Sequence, residues 1–575
     1  MADQTWTEVR SPHFRVITDG SGKDARTVAN EFEQMRHLFA VRFNNEALPS
    51  GPPLTIVAVR DFTTLRTLDP STWKSRGDNA SGEFLHGWER QFAIIRLDTW
   101  TESTRESVNF EYTQTILRAN THWLPLWLDV GFCEFYAYTR FDENHIYIGV
   151  PSPRLGVLQN QSLVPINTML EVNARSPRYN DAREIQIFFA EAWAIVHYMT
   201  FGPNMGNGDK LSKFFQLLHE GVAQQKAFHD VFGDPKAFDE SFLRYLQRSG
   251  FTAAQLPPDT TADPKSFSER KLTPAEIEYE IGCVQIRDHD FADARPSIEK
   301  SLVLDPNLAA AHEELGFLNF EAGKNDEAEK EWKQAISLDP SLGRSLFALT
   351  MSGPFSAKPM TAQSPDELHT AQVTLQHVTQ LIPRYAPAYV ELALIEWQQG
   401  SLQQAYKDAH QAELLEPSRA GYHLLTGHIL LHGKQPAVAA NYSRHVATHW
   451  FGSDHDEAVD LWQAVPVDQR GDGPPLTLDV PAGADVARGK LTEVSCDASR
   501  EKITFLPDKP DATPLTLTTE GRFRIGFSDT LWWGEDHFSC HHLAGHAAVA
   551  IYKSDATKGP QVVKLEIRDD LPDDH

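Results

Sequence analysis

The residue types that could do acid–base chemistry are concentrated in the stretch Phe110–Tyr136, FEYTQTILRANTHWLPLWLDVGFCEFY. Glu111 and Glu134 are carboxylates that could exchange protons, and His122 and Cys133 lie between them in the chain. A carboxylate that acts as a general base needs an activated water or a polarised bond beside it. These groups form a candidate catalytic site. The alternative is that they are hydrogen-bonding residues in a cleft that does no chemistry.

The same stretch resembles the metal-binding core of gluzincin-type zinc peptidases, in particular the peptidase-MA-like domains that are often fused to tetratricopeptide repeats. Those domains read HEYTH and then PxWLNEGLAEY. Two histidines and the Glu of NEG bind zinc, and the Glu between the histidines activates the metal-bound water. In the resemblance, the three ligand positions are occupied here by Phe110, Gln114 and Val130 in place of the two histidines and the glutamate. The base position is retained as Glu111. Other residues of the pattern are retained: Tyr112, Thr113, Trp127, Leu128, Gly131 and Glu134.

The resemblance therefore implies a zinc site that has lost its ligands. Phe and Val have no lone pair to donate, and a Gln carbonyl is a poor zinc ligand by itself. Without the metal, Glu111 faces a water whose pKa stays far above the value of about 7 that zinc binding would give it. The sequence predicts a pseudo-metallopeptidase. The alternative is a hydrolase with a rebuilt site that recruits His122, Cys133 or His197.

The resemblance covers roughly residues 5–250 and implies a degenerate gluzincin-like domain over residues 1–250. It includes the opening WTEVRSPHFRV and the later run FFAEAWAIVHYMTFG. In zinc peptidases a downstream Tyr or His often stabilises the oxyanion. His197 and Tyr198 are the candidates here, and the alternative is that they line the core or a groove. Glu134 lies next to the third-ligand position, where it would support that ligand or else sit on the helix surface.

From Thr273 onward the sequence repeats with a period of 34 residues, which is typical of tetratricopeptide arrays. Small residues recur where the two helices of a repeat touch, and prolines close the repeats: Ala294, Ala328, Ala371, Ala405 and Ala439; Gly282, Gly316, Ala393 and Gly427; Pro306, Pro340, Pro383 and Pro417. The step from Pro340 to Pro383 is nine residues longer, which predicts an insertion at residues 352–364. We predict about five repeats over residues 273–465, whose concave surface binds a peptide or partner helix.

Residues 476–575 follow a linker rich in Gly, Pro and Asp, and their short alternating segments predict a small β barrel or sandwich. A candidate zinc site consists of Cys and His side chains in this domain: Cys496, His537, Cys540 and His541, with His542 and His546 close by. Their spacing matches no zinc motif, so an aromatic core or contact patch is the alternative. In an exported protein, Cys496 and Cys540 could instead form a disulfide.

The composition limits the classes of partner. The chain has 53 Lys and Arg against 79 Asp and Glu, a formal net charge of −26. A charge of this sign repels nucleic acids and anionic membranes. No run of about 18 apolar residues could span a membrane. The start MADQTWTEV has no leader. Proteins with such a domain usually carry one, so we expect an exported protein, periplasmic or extracellular, whose signal peptide is absent from this chain.

The predicted fold class is multidomain α+β, with a gluzincin-like domain, an all-α tetratricopeptide superhelix and a small C-terminal β domain. The predicted function is that of a non-catalytic scaffold, which binds a protein or peptide through the cleft of the first domain and the groove of the repeats. The alternative is a peptidase with a non-standard site around Glu111. No cofactor is expected, apart from zinc at the C-terminal candidate site. The sequence does not indicate an oligomeric state.

Overall fold

A computed structural model of the chain describes residues 5–43, 48–49, 51–68, 70, 82–87, 89–99, 102–142, 144–160, 162–248, 250–352, 363–478, 480, 483–497, 500–508, 512–518, 525–527, 544–555, 557 and 559–568. The chain divides into two compact units, Met1–Thr273 and Pro274–His575. Across the described residues, no helix combines the length and the apolar character needed to cross a membrane.

The first unit contains a six-stranded sheet. Its strands are β1 (Thr7–Arg10), β2 (Arg15–Thr18), β3 (Leu54–Val59), β4 (Gly82–Leu85), β5 (Gln91–Arg96) and β9 (Ser268–Lys271). Their order is β4-β5-β3-β2-β1-β9. The central strands β2, β3 and β5 run parallel, and β5 is buried along its whole length, as expected for a parallel strand that is covered on both faces. A separate three-stranded antiparallel sheet consists of β6 (Arg140–Phe141), β7 (Ile146–Ile148) and β8 (Ala254–Leu256).

The helices of the first unit supply the side chains of the candidate site. They are α1 (Gly22–Arg42), α2 (Phe62–Leu68), α3 (Glu102–Asn120), α4 (Leu126–Ala137), α5 (Ile166–Met169), α6 (Pro177–Asn180), α7 (Glu184–Phe201), α8 (Asp209–His219), α9 (Gln224–Phe232) and α10 (Pro235–Leu246). Helix α4 begins directly after Pro125, since proline is compatible with the start of a helix but not with its interior. It packs between α3 and α7, and most of its residues belong to the core of the unit.

The second unit begins with a row of antiparallel helices in which each packs on the next. They are α11 (Pro274–Arg287), α12 (Phe291–Leu304), α13 (Ala309–Glu321), α14 (Asn325–Leu338), α15 (Gly343–Ser352), α16 (Pro365–Leu381), α17 (Ala386–Gln398), α18 (Leu402–Leu415), α19 (Ala420–His432), α20 (Pro436–His449) and α21 (Ser453–Ala464). The predicted tetratricopeptide array is confirmed: the helices form five pairs, and α21 follows the last one.

Close contact within each pair explains the small residues of the repeat. A Cβ added at Gly282 of α11 would lie 2.5 Å from Cδ1 of Ile298 on α12, too close for any real side chain. The third pair, α15 and α16, is the one divided by the predicted insertion, since α15 ends at Ser352 and α16 begins at Pro365. Most of that insertion lies outside the described residues.

The C-terminal residues form a small β barrel. Its strands are β10 (Asp485–Asp497), β11 (Arg500–Pro507), β12 (Leu515–Thr518), β13 (Ile525–Phe527), β14 (Ala547–Asp555) and β15 (Gly559–Arg568). The order β12-β11-β10-β14-β15 closes on itself through a pairing of β12 with β15. Strand β13 pairs in parallel with a later part of β15. This closure selects the barrel over the sandwich. The interior consists of apolar side chains: Leu491, Ile503, Phe505, Leu517, Ala548, Ala550, Leu565 and Ile567.

Candidate functional site

The candidate site of the first unit lies on one stripe of α3. Phe110, Glu111, Gln114 and Arg118 recur at helical spacing and all keep some exposed surface, whereas Tyr112, Thr113, Ile116 and Leu117 are buried. Because α4 packs against α3, residues of α4 lie beside this stripe. The sequence-predicted positions Phe110, Gln114 and Val130 are thus carried by two adjacent helices, with Glu111 among them.

Glu111 is paired with a residue that sequence analysis did not identify. His86 directly follows β4, and its Nε2 lies 2.7 Å from Oε2 of Glu111. About a third of each side chain is exposed, 33% for His86 and 36% for Glu111, so solvent reaches the pair. His86 is brought to α3 by the antiparallel pairing of β4 with β5 and by the contact of β4 with α3. No motif of the sequence indicates such a tertiary contact.

Gln114, at the second ligand position, is used as a hydrogen-bond donor. Its Nε2 donates to Oδ2 of Asp129 on α4 at 3.2 Å. Burial raises the pKa of Asp129; the charge of Arg118 and the Gln114 hydrogen bond oppose this rise, and the charge of Glu111 adds to it. The amide therefore stabilises the charged form of a carboxylate that burial disfavours. Asp129 of α4 is a further titratable group beside the stripe.

The other two ligand positions are filled by packed apolar side chains. Phe110 stacks on Phe189 of α7, with ring centroids 5.9 Å apart and planes inclined by 9°. Val130 is 2% exposed and belongs to the core of the unit. At Gly131, an added Cβ would lie 2.6 Å from Cγ2 of Val196, so α4 approaches α7 too closely for any larger residue. The predicted ligand positions Phe110 and Val130 therefore carry packed hydrocarbon side chains.

The stripe has the chemistry of an acid–base pair. Among the described residues of the first unit, no three Asp, Glu, His or Cys side chains bring their donor atoms within 4.8 Å of one another. The imidazole of His86 and the carboxylate of Glu111 lie within hydrogen-bond distance of each other, which is the arrangement found in general acid–base pairs. Such a pair can orient a bound group or remove a proton from it. Neither residue supplies a group that would polarise the bond to be broken.

Cys133 and Glu134 of α4 are both interior residues. Burial is the largest cause that raises the pKa of the Cys133 thiol, and the charges of Asp129 and Glu111 add to it, so the thiol stays protonated and unreactive. Glu134 Oε1 lies 3.2 Å from Nε of Arg154, yet burial raises the pKa of Glu134 to about 7. Glu134 is only 2% exposed, which places it in the interior and not on the helix surface.

His197 and Tyr198 of α7 are part of the core. His197 Nε2 donates to the carbonyl of Thr252 at 3.1 Å, and Nδ1 then accepts from the Tyr245 hydroxyl at 2.7 Å. Burial lowers the pKa of His197 to about 4, so its ring is neutral at physiological pH. Trp193 stacks on the ring at 4.6 Å. Both ring nitrogens are engaged in the interior, and these contacts favour the core role over an oxyanion role.

The remaining predicted candidates are only partly described. His122, between α3 and α4, meets the ring of His219 edge-on at 5.4 Å. At the C-terminal candidate zinc site, the backbone of Cys496 lies in β10, and its side chain is outside the description, as are His537, Cys540 and His541. The zinc site and the disulfide between Cys496 and Cys540 stay predictions. Cys133 and Cys283 are both buried.

The array carries a feature that the sequence analysis missed, although the 34-residue period could have revealed it. Glu280 of α11, Glu314 of α13 and Glu391 of α17 occupy the same position in the first helix of their repeats, and all are buried. Arg344 Nη1 lies 3.0 Å from Oε1 of Glu314. At Glu391, burial raises the pKa to about 8. We call Glu280, Glu314 and Glu391 the glutamate row.

Known structures that are similar to this protein match only about a third of the chain. No family model matches it, and no curated protein matches it. Solved structures similar to it include PilF of Pseudomonas aeruginosa, 17% identical over 33% of this chain and 89% of that chain, with a TM-score of 0.27. A tetratricopeptide repeat protein of Thermus thermophilus is 18% identical over 33% and 98%, with a TM-score of 0.27. YrrB, a tetratricopeptide repeat protein with an unusual peptide-binding site, is 15% identical over 33% and 87%, with a TM-score of 0.24.

Proposed function

We propose that this protein is a non-catalytic, peptidase-like scaffold that binds a protein or peptide partner through its repeat array. The observation that carries the proposal is the stack of five helix pairs in the second unit. A single pair cannot bury its apolar faces, so the pairs stack and present a continuous row of first helices to a partner. Because one fold can serve many functions, the partner class has to be argued from the residues of that row.

The glutamate row makes a basic partner segment the best match. Its three members recur at one position of the first helices α11, α13 and α17, so they lie on the same side of the array. Arg344 neutralises Glu314, whereas burial disfavours the charged form of Glu391. A Lys or Arg side chain of a partner would favour the ionised form of Glu391 and gain a charge-assisted hydrogen bond from it.

The test uses the full chain and three labelled peptides of equal length, one rich in Lys, one neutral and one rich in Glu, with binding followed by fluorescence anisotropy. We expect the basic peptide to bind, more weakly at high salt, and Glu391→Gln to weaken it about tenfold. Glu327→Gln, on the exposed face of α14, makes the same charge change and should alter binding less than about twofold. Equal affinity for the three peptides, or equal effects of the two variants, would refute the proposal.

A hydrolase is the second candidate function, and it is favoured by the solvent-accessible contact between His86 and Glu111. If the protein is a scaffold, the hydrolysis rates of peptide and ester substrates should be equally low with wild type, with Glu111→Gln and with His86→Asn. A loss of about a hundredfold or more in both variants would instead identify general acid–base catalysis.

The loss of the zinc ligands can be tested directly. We expect the purified, untagged chain to retain less than about a tenth of an equivalent of zinc after extensive dialysis. Near one equivalent would mean that a metal site exists, and Cys540→Ala and Glu111→Gln would then locate it in the C-terminal or the first domain.

We also propose that the protein is exported. Cell fractionation that finds the protein in the cytosol alone would contradict this proposal.

A further inference from the structure

The C-terminal barrel presents a charged face to the array. In the strand register, Arg488 of β10 pairs with Val549 of β14, and Val549 pairs with Glu566 of β15, so these residues share one face of the sheet. Lys564 precedes Glu566 by two residues and points to the same side. The neighbouring Leu565 points into the barrel interior. The face that bears Arg488, Lys564 and Glu566 is therefore the outer one.

The last array helix, α21, carries the matching charges. Asp456 and Asp460 are one helical turn apart and so lie on the same side of α21. Arg488 donates to both carboxylate oxygens of Asp460, with Nη1–Oδ2 at 2.6 Å and Nη2–Oδ1 at 2.7 Å. Lys564 Nζ donates to Oδ2 of Asp456 at 2.8 Å and also forms an ion pair with Glu566. Two ion pairs thus join the barrel to α21.

Burial sets the contacts of Lys564 apart from ordinary surface ion pairs, whereas the Arg488–Asp460 pair is partly exposed. Asp456 is 1% exposed and Glu566 0%, and Lys564 lies between these two carboxylates. Water does not screen charges in such a position well, and removal of one partner leaves a buried charge without compensation. The bidentate geometry of Arg488 with Asp460 adds directional specificity.

The segment that connects the array to the barrel is also held in place. Arg470 donates to the carbonyls of Val465 and Gln463, at 2.8 and 2.7 Å. Farther along, Leu476 packs against apolar residues of the last helices. His455 of α21 donates from Nε2 to the carbonyl of Thr477 at 3.1 Å. The sequence predicts a linker here, and these contacts fix it to α21.

We propose that the barrel is the cap of the repeat array, docked on α21 through Arg488–Asp460 and Lys564–Asp456, and that barrel and α21 open as one cooperative unit. A solenoid needs a special structure at its end, because the last pair has no neighbour to cover it. Here α21 follows the last pair, and the barrel covers the acidic side of α21. The partner of that surface is therefore a domain of the same chain.

The test is hydrogen exchange of the full chain by mass spectrometry, with attention to β10, β14 and β15. The variant Asp456→Asn/Asp460→Asn removes the negative charge from both contacts. Its control, Asp468→Asn/Asp472→Asn, removes two carboxylates from exposed positions of the connecting segment. We expect exchange in the three strands to be at least about tenfold faster in the first variant, unchanged in the control, and unchanged in α11–α16 of both.

A second variant separates undocking from damage to α21. Asp460→Arg combined with Arg488→Asp reverses one ion pair and should restore most of the protection that Asp460→Arg alone removes. Strand exchange that is the same in wild type and in Asp456→Asn/Asp460→Asn would overturn the proposal. So would a reversed pair that protects no better than Asp460→Arg alone.

Discussion

The buried carboxylate of Glu191 gives the sharpest prediction about stability. Glu191 of α7 is 0% exposed; Oε1 accepts from the backbone N–H of Val164 at 2.8 Å, and Oε2 has no hydrogen-bond partner among the described residues. Burial raises the pKa of Glu191 from 4.5 to about 8, against the opposing effect of the Val164 hydrogen bond. The folded state therefore favours the protonated acid, whereas the unfolded chain ionises at its ordinary pKa.

The sign and size of the effect follow from linkage. Between its unfolded and folded pKa values the folded protein binds more protons, so stability falls as the pH rises through that window. One pKa unit corresponds to about 1.4 kcal/mol. The shift at Glu191 therefore lowers the free energy of unfolding of wild type by about 3 to 4 kcal/mol between about pH 5 and about pH 8. Glu191→Gln has nearly the same shape and can still accept from Val164, but it does not titrate.

The assay is equilibrium urea unfolding at several pH values, followed by tryptophan fluorescence. We expect Glu191→Gln to gain about 3 kcal/mol in free energy of unfolding over wild type as the pH goes from about 5 to about 8. The matched control is Glu184→Gln on the same helix, whose partly exposed carboxylate pairs with Arg178; its free energy of unfolding should differ from that of wild type by less than about 1 kcal/mol. A difference between Glu191→Gln and wild type that is independent of pH would refute the reasoning.

Three further predictions concern single residues of the first unit. Hydrogen bonds from three arginines lower the pKa of Glu8 to about 2 although burial opposes them, so Glu8→Gln should cost about 2 kcal/mol in urea unfolding near neutral pH. That cost should fade as the pH drops from about 4.5 toward about 2, and a constant cost would contradict it. Gly131→Ala should lower stability by about 2 kcal/mol or more, because its Cβ meets α7, whereas Gly156→Ala, with open space around it, should not. Cys133, buried and with a raised pKa, should react with iodoacetamide only after unfolding; rapid alkylation of the native chain would show that the site opens.

The features that follow from short-range patterns were predictable from the sequence. The 34-residue spacing of Gly, Ala and Pro fixes where two helices can touch and where each repeat ends, and the helix pairs agree with it. Pro125 marks the start of α4 because proline is compatible only with the first turn of a helix. Alternating apolar residues indicated the strands of the C-terminal domain, but the choice of barrel over sandwich depended on the pairing of β12 with β15.

The candidate site shows where such patterns stop being informative. The sequence established that Phe110 and Val130 offer no donor atoms, since that is a property of the side chains themselves. It could not place Glu134 in the interior, nor show that both ring nitrogens of His197 are bound inside the core. Burial depends on which elements pack against a helix, and an isolated helix pattern does not contain that information.

What the sequence by itself determined about this protein is its periodic architecture and the chemical type of every residue in the stretch Phe110–Tyr136. The tertiary structure alone decided the partners: His86 for Glu111, between the end of β4 and α3, and Arg488 for Asp460, between barrel and array. The physical reason is that local patterns report the energetics of residues within a few positions of one another. Contacts between distant segments arise only when sheets and helix pairs pack, and their identities are settled at that stage.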